Sequence, residues 1–213
     1  MIVHPHPFDS IGDVALATLR HLEKPLVALS GGPTYATLFT EWIACSPRCM
    51  HTAFFPVDER LVPFDDPDSN WGQAARVFLS SVGRSKDAHN WPASVEQYTD
   101  LLKEHFGPGL PVFDTIFLGM GNDGHTASLF PGGNYYNTLA PVIATQSPVQ
   151  PIQRLSLSPA AIGTARMVVL IVAGNGKQQV VKALLNGDAS LPAVRVLSLC
   201  RDYEVYIERA LLP

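Results

Sequence analysis

The chain has 213 residues, 46% of them hydrophobic and 16% charged, which is enough to bury a sizeable core and too apolar for a disordered chain. A formal net charge of −4 gives no general attraction to nucleic acid or to an anionic membrane surface, so an anionic ligand must be met by locally gathered Arg and Lys. The 18 prolines and 16 glycines fall in short turns rather than in a low-complexity tract and predict a loop-rich fold, while the length suits one globular domain over residues 1–213 or two small lobes, of which the single domain is expected.

The N-terminal MIVHPHPFDS has no basic segment followed by an apolar stretch, and no apolar run approaches a membrane span, so a cytoplasmic protein is expected. Cys45, Cys49 and Cys200 are odd in number and lack the partners of a structural zinc site, which leaves free thiols as the reading.

In chain order, Asp9 or Ser10 caps a first helix that runs to about Leu22. Leu26 to Leu29 is a short buried strand, and Ser30-Gly31-Gly32 leads from it into a helix opened by Pro33, with Tyr35, Leu38, Phe39 and Trp42 at helical spacing. Thr52 to Val57 is a second strand with an abruptly charged end, Asp58-Glu59-Arg60. Asp68-Ser69-Asn70 offers cap residues for a helix through about Phe78, and the polar stretch from Gly83 to Pro92 is expected to be a surface loop. Val95, Tyr98, Leu101, Leu102, His105 and Phe106 mark one helix face, which stops at Gly107-Pro108.

Thr115 to Leu118 is a strand apolar on both faces, followed by the glycine-rich turn Gly119 to Gly124 and by His125, where a short helix is expected to begin. Val142 to Ala144 and Arg154 to Leu157 are short strands on either side of SPVQP. Met167 to Ala173 is the most apolar strand; Gly174-Asn175-Gly176 and Lys177 then lead into a helix closed by Asn186-Gly187. Val194 to Leu199 and Val205 to Ile207 are expected as the last strands. Strands alternating with helices predict an α/β, Rossmann-like fold with a largely parallel sheet flanked by helices.

In a parallel sheet the loops that follow the strands share one edge, which gathers Ser30-Gly31-Gly32, Asp58-Glu59-Arg60, the Gly119 to His125 turn and Gly174 to Lys177. The first of these suits an anion through free amides and a helix dipole, and equally suits a plain tight turn. Arg60, Arg154 and Lys177 are the cations available to a phosphate. Gly119, Gly121 and Gly124 match the spacing of a dinucleotide fingerprint, but Pro131 ends any helix too soon and no acid stands about twenty residues on. Lys177 lacks the upstream glycine and following Ser or Thr of a phosphate loop, and Ser30 lies too early in the chain for a hydrolase nucleophile elbow. His125 admits two readings, a cap or packing residue and a general base that activates water; accessible flanking glycines and the nearby Asp123 favour the base.

Taken together these motifs resemble the 6-phosphogluconolactonases, relatives of the glucosamine-6-phosphate deaminases. The resemblance rests on LSGG at Leu29 to Gly32, DERLVP from Asp58, DSN at Asp68 to Asn70, GMGNDGHTASLFPG from Gly119, RLSLS from Arg154, and the Gly174 to Lys177 turn. Arg60 and Ser128-Leu129-Phe130-Pro131 stand where the deaminases are more like DEY and FNEPG, which favours the lactonase branch. Pro33, Tyr35, Val57 and Asn122 depart from the usual pattern. The resemblance implies hydrolysis of 6-phospho-D-glucono-1,5-lactone with no metal or organic cofactor, and a small-molecule phosphosugar lactone in place of any nucleic-acid, membrane or obligate protein partner. It implies His125 as the base, with Asp123 orienting it, and substrate held by Ser30, Gly31, Gly32, Asp58, Arg60, Gly121, Arg154 and Lys177. A deaminase or isomerase of the same fold, and a catalytically silent sugar-phosphate sensor, are the alternatives.

Overall fold

The computed structural model describes residues 3–213; Met1 and Ile2, at the start of the N-terminal segment discussed above, lie outside the described residues. The strands are β1 (His6–Phe8), β2 (Leu26–Leu29), β3 (Ala53–Pro56), β4 (Asp58–Arg60), β5 (Thr115–Gly119), β6 (Val142–Gln146), β7 (Gln153–Leu157), β8 (Val168–Val172) and β9 (Tyr203–Glu208). The α-helices are α1 (Ile11–Leu22), α2 (Pro33–Ala44), α3 (Asn70–Ala74), α4 (Val95–Phe106), α5 (Pro159–Gly163), α6 (Gln178–Leu185) and α7 (Pro192–Leu197).

Six strands form one sheet in the order β1-β9-β8-β5-β2-β3, every neighbouring pair parallel. Its central strands are apolar without interruption because both faces are covered. Ala28, Ile116, Leu118, Val168 and Leu170 join one buried cluster, while Val27, Leu29, Phe117, Val169 and Ile171 join the other. Alternation along each strand thus fills two cores, one on each side of the sheet. Helix α1 begins with reciprocal bonds between Ser10 and Asp13, in which Ser10 N–H donates to Asp13 Oδ2 at 2.9 Å and Asp13 N–H to Ser10 Oγ at 3.2 Å.

The chain order within the sheet locates a switch point. From β2 the chain moves outward to β3, whereas from β5 it moves the other way, to β8 and then β9. The loops leaving the carboxyl ends of β2 and β5 therefore diverge and leave a crevice between them.

Several expectations need correction. The charged end at Asp58-Glu59-Arg60 is not a loop but β4, which pairs with β7 in a separate antiparallel sheet ordered β4-β7-β6. Val194 to Leu199 is not a strand: it lies in and just beyond α7, started by Pro192, and its apolar run packs as a helix face. No helix begins at His125; residues after Gly121 form tight turns with an isolated bridge from Thr126 to Leu129. Gly124 has φ +80° there and Ala127 φ +50°, values a helix does not accept.

The stretch from Gly83 to Pro92 carries a 3-10 helix at Ser85–Asn90 with Arg84, Asp87 and Asn90 buried, because its polar side chains bond inward rather than to water. Asp87 Oδ2 accepts from Phe54 N–H at 3.0 Å and Asn90 Nδ2 donates to the Phe54 carbonyl at 2.6 Å, tying the segment to β3. The helix after Ser69 continues past α3 as a π-helical turn, Ala75–Leu79. No helix among the described residues is long and apolar enough to cross a membrane.

Candidate active site

A cavity of about 700 Å³ opens at the carboxyl edge of the parallel sheet, against the antiparallel one. Its wall includes Ser30, Gly31, Gly32, Asp58, Arg60, Gly121, Asp123, His125, Arg154 and Lys177, so the structure brings together every residue that the sequence marked. The size lies within the usual range for a small-molecule site.

The turn after β5 is folded on itself. Gly121 N–H donates to the His125 carbonyl at 2.9 Å, Gly124 N–H to the Gly121 carbonyl at 3.0 Å, and Thr126 Oγ1 to the Gly119 carbonyl at 2.8 Å. This compact loop puts the His125 ring over Gly121, where any Cβ would overlap the imidazole. Asp123 Oδ1 lies 2.5 Å from His125 Nδ1 and also accepts from the His125 backbone N–H at 3.1 Å. Partial burial works against the Asp123 carboxylate, but the hydrogen bonds from His125 outweigh it and hold its carboxyl below the usual range. An ionised carboxylate only accepts, so the proton of a neutral ring sits on Nδ1 and Nε2 keeps its lone pair. The Phe130 ring, 4.8 Å away between centroids, packs beside the imidazole.

The cations come from three elements. Pairing of β4 with β7 sets Arg60 directly opposite Arg154. Like charges at facing positions repel; Arg60 pairs at 3.5 Å with the exposed Asp68 carboxylate, while Arg154 makes no ion pair among the described residues. Arg60 Nη1 donates to the Asp68 carbonyl at 2.8 Å, while its Nε is buried without a partner. Arg154 is 7% exposed; its Nε is likewise unpartnered, and burial and then Arg60 lower its pKa against the pull of Asp58. Lys177 donates from Nζ to the Met120 carbonyl at 2.7 Å, and burial lowers its pKa while Glu208 opposes the shift. Ser30 Oγ is buried and has no hydrogen-bond partner among the described residues.

Asp58 stands at the wall of the cavity with its Oδ2 accepting from Ser128 Oγ at 2.6 Å. Burial pushes its carboxyl up, against the opposing influence of that hydrogen bond and of Arg154. Next to it, Glu59 is fully buried and its carboxylate gathers the start of α3, accepting from Ser69 Oγ at 2.9 Å, Asn70 N–H at 2.7 Å and Trp71 N–H at 2.8 Å. Its Oε1 also accepts from Arg60 N–H at 2.7 Å, so one acid aligns β4 with the helix.

Sequence reasoning passed over Asn70, Ser128, Tyr35 and the SPVQP hairpin, whose Ser147, Pro148 and Val149 face the cavity. Asn70 carries a signal in the DSN triplet, where its residue type points to a cap; Ser69 is the actual cap, with its Oγ accepting from Gly72 N–H at 2.9 Å. Nothing local to the hairpin marks it as a cavity wall, since it arrives through the antiparallel sheet.

An open parallel sheet with a cation- and histidine-bearing cavity at its switch point defines an α/β protein built to hold a small ligand. The family model described as glucosamine-6-phosphate isomerases/6-phosphogluconolactonase matches residues 8–205. The chain belongs to that family.

A 6-phosphogluconolactonase of Rattus norvegicus is 37% identical over 186 residues, which cover 80% of this chain and 72% of that protein. The chloroplastic 6-phosphogluconolactonase 3 of Arabidopsis thaliana is 35% identical over 157 residues, 65% of this chain and 48% of that protein. The matched region therefore spans about half the length of the plant relative. Among solved structures, the 6-phosphogluconolactonase of Trypanosoma brucei superposes with a TM-score of 0.77 at 27% identity, covering 98% of both chains.

Proposed function

We propose that the protein hydrolyses 6-phospho-D-glucono-1,5-lactone to 6-phospho-D-gluconate, the lactonase step of the pentose phosphate pathway, as the names of its relatives suggest. One observation carries the reading: the His125–Asp123 pair opens into the same cavity as an unpaired, buried Arg154 guanidinium facing Arg60. A base able to activate water and a subsite short of an anion are what a phosphorylated ester needs.

His125 Nε2 takes a proton from a water whose oxygen attacks the lactone carbonyl carbon. The carbonyl π electrons move to oxygen and form a tetrahedral oxyanion. Collapse of that intermediate breaks the bond to the ring oxygen, and the imidazolium returns the proton to that leaving oxygen. Asp123 keeps the ring in the tautomer that leaves Nε2 free and stabilises the imidazolium between the two transfers. Ser30, Gly31, Gly32, Arg60, Arg154 and Lys177 hold the phosphate and sugar, so binding energy far from the carbonyl fixes its distance from the water. Asp58 shapes the sugar side of the site, and Gly121 gives the imidazole its place. We assign the reaction to the cytoplasm, with no protein partner required for it.

The test is lactone loss from freshly prepared 6-phosphogluconolactone, above its spontaneous rate. His125→Ala is expected to lower kcat by about 10²–10⁴-fold, and Arg60→Ala to raise KM with a smaller effect on kcat. Near-normal turnover by His125→Ala would overturn the base assignment, and ammonia release from glucosamine 6-phosphate in place of lactone hydrolysis would overturn the reaction itself.

A further inference from the structure

Asn70 stands between two parts of the cavity wall, the uncharged Ser30-Gly31-Gly32 loop and the strand that bears Arg60. Its backbone is immobilised from behind, since its N–H donates to the buried Glu59 carboxylate at 2.7 Å. Its side chain is wedged from the front. An added Cβ at Gly31 would lie only 2.5 Å from Asn70 Cγ and Oδ1, so Gly31 leaves the space that the carboxamide fills. Asn70 is 9% exposed and lines the cavity, yet its carboxamide makes no hydrogen bond with another of the described residues. A held amide with neither its donor nor its acceptor used by the described residues is poised for a ligand group.

The chemistry of the amide selects that group. A phosphate asks for donors and positive charge, which Arg60 and Arg154 already supply. A hydroxyl both donates and accepts, as a carboxamide does, and the lactone of the proposed reaction carries several on its ring. We propose that Asn70 is a specificity-determining residue that binds one ring hydroxyl of the substrate, with Glu59 as the positioning residue that fixes it. This rests on the lactonase reading, and it adds a contact by which the site distinguishes a polyhydroxylated lactone from a deoxy analogue.

The experiment measures kcat/KM for wild type, Asn70→Ala and Asn70→Ser on 6-phosphogluconolactone and on analogues each lacking one ring hydroxyl. Wild type is expected to lose about tenfold or more on one of the analogues. On that analogue alone, Asn70→Ala should match wild type, while on the parent lactone it falls by a similar factor; Asn70→Ser provides a second, smaller polar replacement if the alanine variant folds poorly. The wild-type comparison needs no variant. Equal wild-type rates on all analogues, or a variant defect of the same size on every substrate, would show a packing role only and overturn the proposal. A wild type inactive on the parent lactone overturns the lactonase reading and this inference with it, whereas an active wild type with uniform ratios overturns this inference alone.

Discussion

Gly121 and His125 occupy one another's space: the imidazole lies where a side chain at 121 would stand. Gly121→Ala must push the ring away from Asp123 or open the turn closed by the Gly121 N–H bond to the His125 carbonyl. Displacement of a catalytic group by about 1 Å costs on the order of 10²-fold. The variant is therefore expected to lose about that much kcat with little change in KM, in the same lactone assay, and unchanged kcat would show that the ring works from another position. At this scale the sequence was informative where chemistry and backbone coincide. His125 and Asp123 were legible because two residues of separation in a glycine-rich turn is a local matter. The closeness of Asn70 to Gly31 was not, since it joins positions 39 residues apart through β4 and Glu59.

Whole elements were legible when their pattern had a single solution. The runs at β2, β5 and β8 are four or five residues long, apolar and bounded by turns, and every residue but Leu26 and Gly119 is buried; a run that short between turn residues suits a covered strand better than a helix. Val194 to Leu199 is apolar too but interrupted by Arg195 and Ser198, and it forms a helix because Pro192 starts one and the carbonyl ladder runs within the segment. The 3-10 helix at Ser85–Asn90 is the opposite case, in which a polar composition suggests exposure but Asp87 and Asn90 are buried. Arg84 donates from Nε and Nη2 to Asp87 at 3.0 Å each, both side chains are buried, and Asp87 also accepts from the Phe54 N–H of β3. Asp87→Ala leaves the buried Arg84 guanidinium without its carboxylate, holding only the Met50 carbonyl at 3.0 Å, and a strand amide without a partner, a loss of about 3–5 kcal/mol. Urea unfolding measures it; a change below about 1 kcal/mol would mean that water replaces the carboxylate there.

Across the whole molecule, the cavity is where two sheets meet, and the parallel sheet alone does not complete it. The β2 and β5 loops supply Ser30 and His125 at the switch point, while Arg154 arrives from β7 and Arg60 from β4. Alternation of strands and helices foretold the first contribution; the second depends on long-range antiparallel pairing, which leaves little local trace. That division makes ligand binding and folding interdependent. Burial and the facing Arg60 both disfavour the charged Arg154, so its pKa is lower folded than unfolded. For a base, that sign means the folded state binds its proton less tightly, and the charge destabilises the empty protein at neutral pH. Arg154→Gln should then melt at the same temperature as wild type or higher when no ligand is present. With 6-phosphogluconate at about 100 times its Kd, wild type should gain about 2.7 kcal/mol through mass action, because only the folded cavity binds the anion. At the same ligand concentration the variant should gain far less. Thermal unfolding of both proteins with and without 6-phosphogluconate reads all four states, and an Arg154→Gln protein that melts lower when empty yet keeps the full ligand shift would place this guanidinium among the structural residues instead of the anion subsite.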